Sequence, residues 1–369
     1  MTGGPRHVEV LQVTRPGTVE WVHTNTGPLA EGAIRLDTVA SGVSAGTELT
    51  YLKDSNPALS HRWDPELGLF QPGREESPYP VRKLGYMQVG HVVATRTPRV
   101  REGDLVAATY GHASGHDLDP VAERFVVLPE RLDPVLGIYV AHMGPICANG
   151  LLHAAADAVG PAVVDLAAGV RGRRVLVTGA GVVGLLTALF ALSGGAAEVV
   201  VADPTPARLE VASRLGLGTV DSTSIDVGVW AKQRWRHGPG DRGADVVFQC
   251  RGRTASLHTA LRALRPQGTV IDLAFYPDGA EDLRLGEEFH HNGLRVVCAQ
   301  IGRVPRGTAH LWDRERLSAV TLDLLTEHAD PVLSHVLTDR VPARDAPALF
   351  ADLVARRRQV LQAVLVDFS

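Results

Sequence analysis

The chain has 369 residues, 37 Lys+Arg against 41 Asp+Glu, a formal net charge of −4 and 45% hydrophobic residues. At about 150 residues per domain this length is enough for two domains with real cores, and the near-balanced charge argues against nucleic acid or an anionic membrane as main partner, since both select basic surfaces. Three cysteines far apart in sequence (Cys147, Cys250, Cys298) provide neither a disulfide framework nor zinc-finger spacing, so a reducing, cytoplasmic setting is expected.

The opening residues, with His7, Glu9 and Arg15, show no basic stretch followed by an apolar run, and no export signal is expected. Short strands separated by Gly and Pro clusters are predicted at 8–13, 33–41, 89–95, 105–109 and 125–128. The Pro-, Gly- and charge-rich stretch 55–80 reads as a long loop or lid. From about Pro145 the texture changes. A helix at 154–168 is followed by alternating strands and helices: 175–178, 184–192, 198–202, 205–215, 246–249, 256–264 and 269–273. Alternation at this pitch requires a parallel sheet, because parallel strands are joined by crossover helices. Residues 175–197 carry no charge, but Gly179, Gly181, Gly184, Gly194 and Gly195 interrupt them, so strand, glycine turn and buried helix are expected and not a membrane span. Beyond Arg303 come a helix (317–327), a strand (336–339), a helix (346–356) and a last strand (363–366).

The most specific chemistry lies in Val175-Leu-Val-Thr-Gly179-Ala-Gly181-Val-Val-Gly184, followed by Asp203. A β-branched strand precedes the glycines, a helix follows, and an acidic residue ends the next strand about 20 residues on, as a Rossmann dinucleotide site requires. Gly179 permits the tight turn, Gly181 lets backbone approach a pyrophosphate, and Gly184 lets helix and strand pack closely. The helix start at Val182 and Val183 offers free N–H groups to phosphate. Asp203 is expected to accept the adenosine ribose hydroxyls of NAD and to repel a 2′-phosphate, while Arg208 and Arg214 leave a route to NADP. The expected cofactor wall is therefore Gly179, Gly181, Val182, Val183, Gly184, Asp203, Arg208 and Cys250.

With this unit flanked by strand-rich segments, and with Gly85-Tyr-Met-Gln-Val-Gly90-His, Gly103-Asp104, Gly243-Ala-Asp245 and Arg265-Pro-Gln-Gly268, the whole chain resembles the medium-chain dehydrogenase/reductase superfamily. The resemblance implies an α/β protein: a GroES-like β-rich catalytic domain (1–140 and 310–369) and a Rossmann domain with a doubly wound parallel sheet (141–309), substrate lying in the cleft between them. Zinc members carry Gly-x-Cys-x-(Ser/Thr)-Asp and Gly-His-Glu segments that hold the catalytic metal. Here these read Gly42-Val-Ser44-Ala-Gly-Thr47-Glu48 and Gly85-Tyr86-Met87, which are poor zinc ligands, and no cysteine precedes Cys147 to build a four-cysteine lobe. No metal is expected. The pattern resembles the zinc-lacking branch that includes the bacteriochlorophyllide hydroxyethyl dehydrogenases and many secondary-metabolism dehydrogenases. One metal alternative is His112-Ala-Ser-Gly-His116-Asp117 with Asp119 nearby, though its Ser-Gly argues for a surface loop carrying solvated or substrate-facing histidines.

Without zinc, hydride transfer needs a proton donor or acceptor at the substrate oxygen. Thr47 matches the superfamily's proton-relay hydroxyl, Tyr51 matches an active-site tyrosine of zinc-free members, and His112 stands where related zinc-free chains place a histidine. These three form the expected catalytic set, with Tyr86, at the vacated histidine position, next in line. The expected function is zinc-independent, NAD-dependent interconversion of a secondary alcohol and a ketone on a cyclitol, sugar-like or specialised-metabolite small molecule. A C=C (enoyl or quinone-type) reductase and a non-redox nucleotide-binding protein are the alternatives. The β-prone segment 295–301, following the strand at 269–273, is expected to pair with a second copy as a homodimer.

Overall fold

Chain contacts divide the protein into two units, residues 1–142 with 337–369 and residues 143–336. The computed structural model describes residues 3–73, 77–277 and 279–368; residues 74–76 of the expected 55–80 loop lie outside these.

In the first unit, strands β1 (Arg6–Arg15) and β2 (Thr18–Thr26) form an antiparallel hairpin. Strand β3 (Ile34–Gly42) leads into helix α1 (Ala45–Leu52), followed by a small hairpin of β4 (His61–Asp64) and β5 (Leu69–Pro72). The stretch expected to be a long loop or lid thus holds a hairpin, and its Trp63, Leu67, Leu69 and Phe70 are exposed. Strands β6 (Gln88–Thr95), β7 (Leu105–Ala108), β8 (Gly115–Leu118) and β9 (Phe125–Val127) follow. Ile34 and Leu36, two apart on one face of β3, share one core with Val92 of β6, Val106 and Leu118.

The second unit begins with helix α2 (Met143–Val159) and alternates β10 (Arg174–Thr178), α3 (Val182–Ser193), β11 (Glu198–Asp203), α4 (Pro206–Arg214), β12 (Gly218–Asp221), α5 (Val227–Arg234), β13 (Ala244–Gln249), α6 (Thr254–Ala263), β14 (Leu264–Asp272) and β15 (Arg295–Cys298). Its six strands run parallel in the order β12-β11-β10-β13-β14-β15. Val175, Leu176 and Val177 are fully buried, as strands covered on both faces require. The first helix starts and stops eleven and nine residues before the predicted 154–168: Pro145 sits in its first turn, where proline is tolerated, and Gly160 (φ +83°) ends it.

Helix α7 (Arg314–Glu327) also belongs to this unit, so the return to the first unit comes at Leu337 and not near residue 310. The reason is packing: a Cβ at Gly144 of α2 would lie 2.1 Å from the Thr321 side chain of α7. The chain then adds β16 (Leu337–Pro342), α8 (Ala346–Val354) and β17 (Gln362–Val366), completing a seven-stranded sheet ordered β16-β17-β3-β6-β7-β9 with β8 also on β3. No helix among the described residues is long and apolar enough to cross a membrane.

Candidate functional site

In the parallel sheet the strand order reverses beside β10, and such a switch point opens a crevice at the carboxyl ends of the strands. Gly179 follows β10 with φ +106°, and its N–H donates to the Ala202 carbonyl at 2.8 Å. A Cβ at Gly184 would lie 1.8 Å from the Gly179 oxygen, so helix α3 packs this closely only on glycine. Gly181, at the head of α3, is different: a Cβ there would meet nothing within 4 Å. Protein packing demands the first and third glycines, whereas the space at the second is open to a ligand. Val182 and Val183 open α3, where the first-turn N–H groups have no intrahelical acceptor.

Asp203 ends β11 as expected but is turned inward, 2% exposed. One carboxylate oxygen accepts the Ala180 N–H at 2.9 Å and the other the Thr205 N–H at 2.8 Å. The carboxylate thus braces the glycine turn through one N–H per oxygen, and each oxygen keeps a second lone pair for a further donor. Arg208 lies half-buried on α4 with no ion pair among the described residues. Cys250 follows β13 beside Gly179, its N–H donating to the Thr178 carbonyl at 2.9 Å. Burial, reinforced by nearby Cys147, pushes its thiol well above the usual range, so it contributes shape and not charge.

A feature missed from sequence lies next to this turn. Cross-strand partners at the ends of β10, β13 and β14 are Thr178, Gln249 and Asp272, all buried and polar. Thr178 Oγ1 donates to Gln249 Oε1, Gln249 Nε2 donates to Tyr276 Oη at 3.0 Å, and Tyr276 Oη donates to the Asp272 carboxylate at 3.0 Å. Burial raises the Asp272 carboxyl above its ordinary range. The readable signal was an apolar run ending in a polar residue on three adjacent strands. Tyr276 also lines a cavity of about 600 Å³ with Arg251, Arg253, Thr254 and Ser256.

The first unit holds a second polar cluster. Ser44, the residue just before α1, and Tyr86 are linked by an Oγ···Oη hydrogen bond of 2.6 Å. Glu48, one turn along α1, reaches back so that Oε1 accepts the Ser44 N–H at 2.7 Å, while Oε2 lies 2.9 Å from His112 Nε2. His112 Nδ1 lies 2.7 Å from Ser41 Oγ. An ionised Glu48 fixes the roles: Nε2–H donates to the carboxylate and Nδ1 accepts the serine proton. Glu48 is 1% and His112 0% exposed. His112 is therefore neither a surface-loop residue nor in reach of a substrate, and the catalytic contact expected of it is corrected to a supporting one. Tyr51 packs against the Leu349–Phe350 core, and its carbonyl accepts the Tyr79 hydroxyl at 2.8 Å. Thr47 is half-buried on α1, with no hydrogen bond from its hydroxyl among the described residues.

The metal alternative at 112–119 dissolves in the same way. His116 pairs with Glu123 at 2.9 Å and stacks on Tyr110, Asp117 takes Arg35 in a two-point ion pair, and Asp119 accepts the Val121 N–H. Among the described residues the one ligand-like grouping is His258, Glu287 and Glu288, where Glu288 is already paired with Arg262.

Residues 182–313 match a family model described as zinc-binding dehydrogenase. The chain is 26% identical over 325 residues to D-guloside 3-dehydrogenase of Escherichia coli, covering 85% of this chain and 87% of that protein. An alcohol dehydrogenase from Thermotoga maritima superposes with a TM-score of 0.74 at 17% identity, over 98% of this chain and 99% of the other. A zinc-binding dehydrogenase from Sinorhizobium meliloti, solved with NADP bound, gives 0.71 at 19% identity over 98% and 99%. The chain has the medium-chain dehydrogenase/reductase type of fold, and its residues 182–313 are similar to the zinc-binding dehydrogenase family.

It combines a GroES-like domain with a Rossmann sheet, and its similarity to named dehydrogenases and reductases supports a nicotinamide-dependent oxidoreductase. The open space at Gly181 and the unpaired α3 start fit a dinucleotide. The zinc positions are another matter, because the matched family region, 182–313, contains neither Ser44 nor Tyr86. Those two hydroxyls are bonded to each other, and the Met87 side chain is buried against Gly42. Neutral hydroxyls and a buried thioether do not make the thiolate–imidazole set that zinc takes, so these residues do not fit the metal.

Proposed function

We propose that this protein is a zinc-independent, NAD-dependent dehydrogenase that interconverts a secondary alcohol and a ketone on a sugar-like, cyclitol or specialised-metabolite substrate. The observation that carries this reading is the Ser44–Tyr86 hydrogen bond, which joins the two positions where zinc members of the superfamily hold their metal. The zinc-lacking branch named above is the natural home for such a chain. A sugar-like substrate is supported by the relative matched along 85% of the chain, which is named for oxidising position 3 of a guloside. NAD is favoured over NADP because the Asp203 charge, braced beneath the glycine turn, opposes a 2′-phosphate.

Bound nicotinamide supplies the hydride acceptor at its C4. The chain's own part is to seat the pyrophosphate on the α3 start at Val182 and Val183 and to manage the alcohol proton. Thr47, with its unpaired hydroxyl, is proposed to touch the substrate, while Tyr51 and His112 support α1 and the 84–86 segment through packing and hydrogen bonds. A homodimer joined along β15 completes the reading.

Incubating the protein with NAD or NADP and a panel of polyols, cyclitols and glycosides, while following absorbance at 340 nm, tests the activity. Turnover with NAD that survives exhaustive chelation is expected. Stoichiometric zinc in active protein, with activity lost on its removal, would refute the metal-free reading.

A further inference from the structure

We propose that Tyr86 is the residue that exchanges the substrate proton, with its phenol oxygen set by Ser44 and its backbone set by the buried Glu48–His112 pair; this rests on the dehydrogenase reading above. Tyr86 is half-buried, whereas Glu48, His112 and Ser41 are closed to solvent. The hydrogen bond of 2.6 Å to Ser44 Oγ is short, as expected where a donor supports developing negative charge on oxygen.

The supporting pair reaches Tyr86 along two routes. Glu48 holds the Ser44 backbone through its N–H, which places the serine hydroxyl. His112 holds the segment that carries the tyrosine: its N–H donates to the Leu84 carbonyl at 2.8 Å, and Gly85 (φ +92°) lies so close over its ring that a Cβ there would be 2.9 Å from Nε2. Two buried titratable groups that converge on the neighbours of one phenol are an expensive arrangement for shape alone. Among the groups that face Tyr86 are Ser44, just before α1, and the His142 ring, edge-on at 4.7 Å; Glu48 and His112 stand one bond behind.

In the oxidative direction the substrate O–H proton passes to the Tyr86 phenolate, which Ser44 Oγ–H stabilises by donation. A bound nicotinamide would accept the electron pair of the breaking carbinol C–H bond as hydride, and the C–O bond would become C=O. Neutral Tyr86 then releases its proton to water. In reduction Tyr86 donates that proton. Tyr86 is the catalytic residue in this scheme, and Ser44, Glu48 and His112 are positioning residues.

The test uses full-length protein with NAD and the best alcohol from the panel. Tyr86→Phe should lower kcat about 100-fold or more while the NADH Kd and the thermal midpoint stay within error of wild type. Ser44→Ala should move the acidic limb of the kcat–pH profile to higher pH, and Ser44→Thr should restore it. Incorporating 3-fluorotyrosine, a more acidic phenol, should move the same limb to lower pH. Wild-type turnover that survives Tyr86→Phe within 3-fold, or a limb that ignores both fluorination and Ser44→Ala, overturns the assignment and leaves the dehydrogenase reading intact. Absence of turnover in wild type with every alcohol, despite NADH binding, overturns the reading and the assignment together.

Discussion

The glycines of the 179–184 turn separate two pressures that a sequence motif merges. Gly184 is required by its neighbour's carbonyl 1.8 Å from an added Cβ, whereas nothing in the chain lies within 4 Å of one at Gly181. Gly184→Ala should therefore cost stability, by about 1–3 kcal/mol or more, because the strand and helix must part. Gly181→Ala should leave stability within about 0.5 kcal/mol but weaken NADH binding at least 10-fold. Urea melts and fluorescence titration of NADH measure the two separately, and equal stability losses would undo the distinction. Asp272 gives a second prediction. Burial raises its carboxyl above the ordinary range, so the folded chain binds that proton more tightly than the unfolded chain. Its contribution to stability is then fully present at acid pH and falls as pH rises from about 4 toward the raised value. Asp272→Asn, which keeps an acceptor for Tyr276, should remove that decline, so the stability of wild type minus variant decreases with pH between about 3.5 and 7. A difference that grows with pH would reverse the sign. At this scale the sequence located Asp203 but not its bracing of the turn, which depends on N–H groups at 180 and 205 that composition does not reveal.

Among the elements, strands 10, 11, 13 and 14 were legible because β-branched runs bounded by glycine, acidic or amide residues have few other solutions. Three others were not. Strand β2 (TVEWVHTNT) buries little and pairs only with β1, so no sustained alternation marks it. Strand β12 spans four residues, of which one is buried. Helix α5 begins with Val-Gly-Val, a poor helix former, and is held by the Asp226 cap to the Val229 N–H and by packing of Gly228 against Arg262 of α6. Tertiary contact decides these elements. The same holds for α7, assigned to the wrong unit because no local feature announces that Thr321 fills the notch at Gly144. Gly144→Ala should destabilise by about 1–3 kcal/mol, and Thr321→Ala in that background should recover part of the loss. A double-mutant cycle showing additive effects, with coupling below about 0.5 kcal/mol, would count against this contact.

For the molecule as a whole, fold class was the most legible property, since strand–helix alternation and the glycine turn constrain topology before any contact is known. The polar cluster in the first unit was the least legible. Ser41, Ser44, Glu48, Tyr86 and His112 are spread over 71 positions, and no local pattern announces that His112 is sealed behind Glu48. The proposed dimer belongs to this scale too. Strand β15 ends its sheet, with Arg295, Val296 and Cys298 exposed. An uncovered edge of this kind invites pairing with another chain. Light scattering at micromolar concentration should give twice the 39.4 kDa chain mass, and a single-chain mass would refute the pairing.

That edge also makes the protein a convenient substrate for thiol chemistry. Cys298 is exposed on β15, whereas Cys147 is buried with its thiol pushed up to about 12 and Cys250 is held higher than usual by burial. Only a thiolate attacks a maleimide, so the folded chain should take up one label and the denatured chain three. The labelled position reports on the edge strand without any mutation. Its reaction should slow as protein concentration rises if a second chain covers β15, and a rate independent of concentration would mean that the strand stays bare.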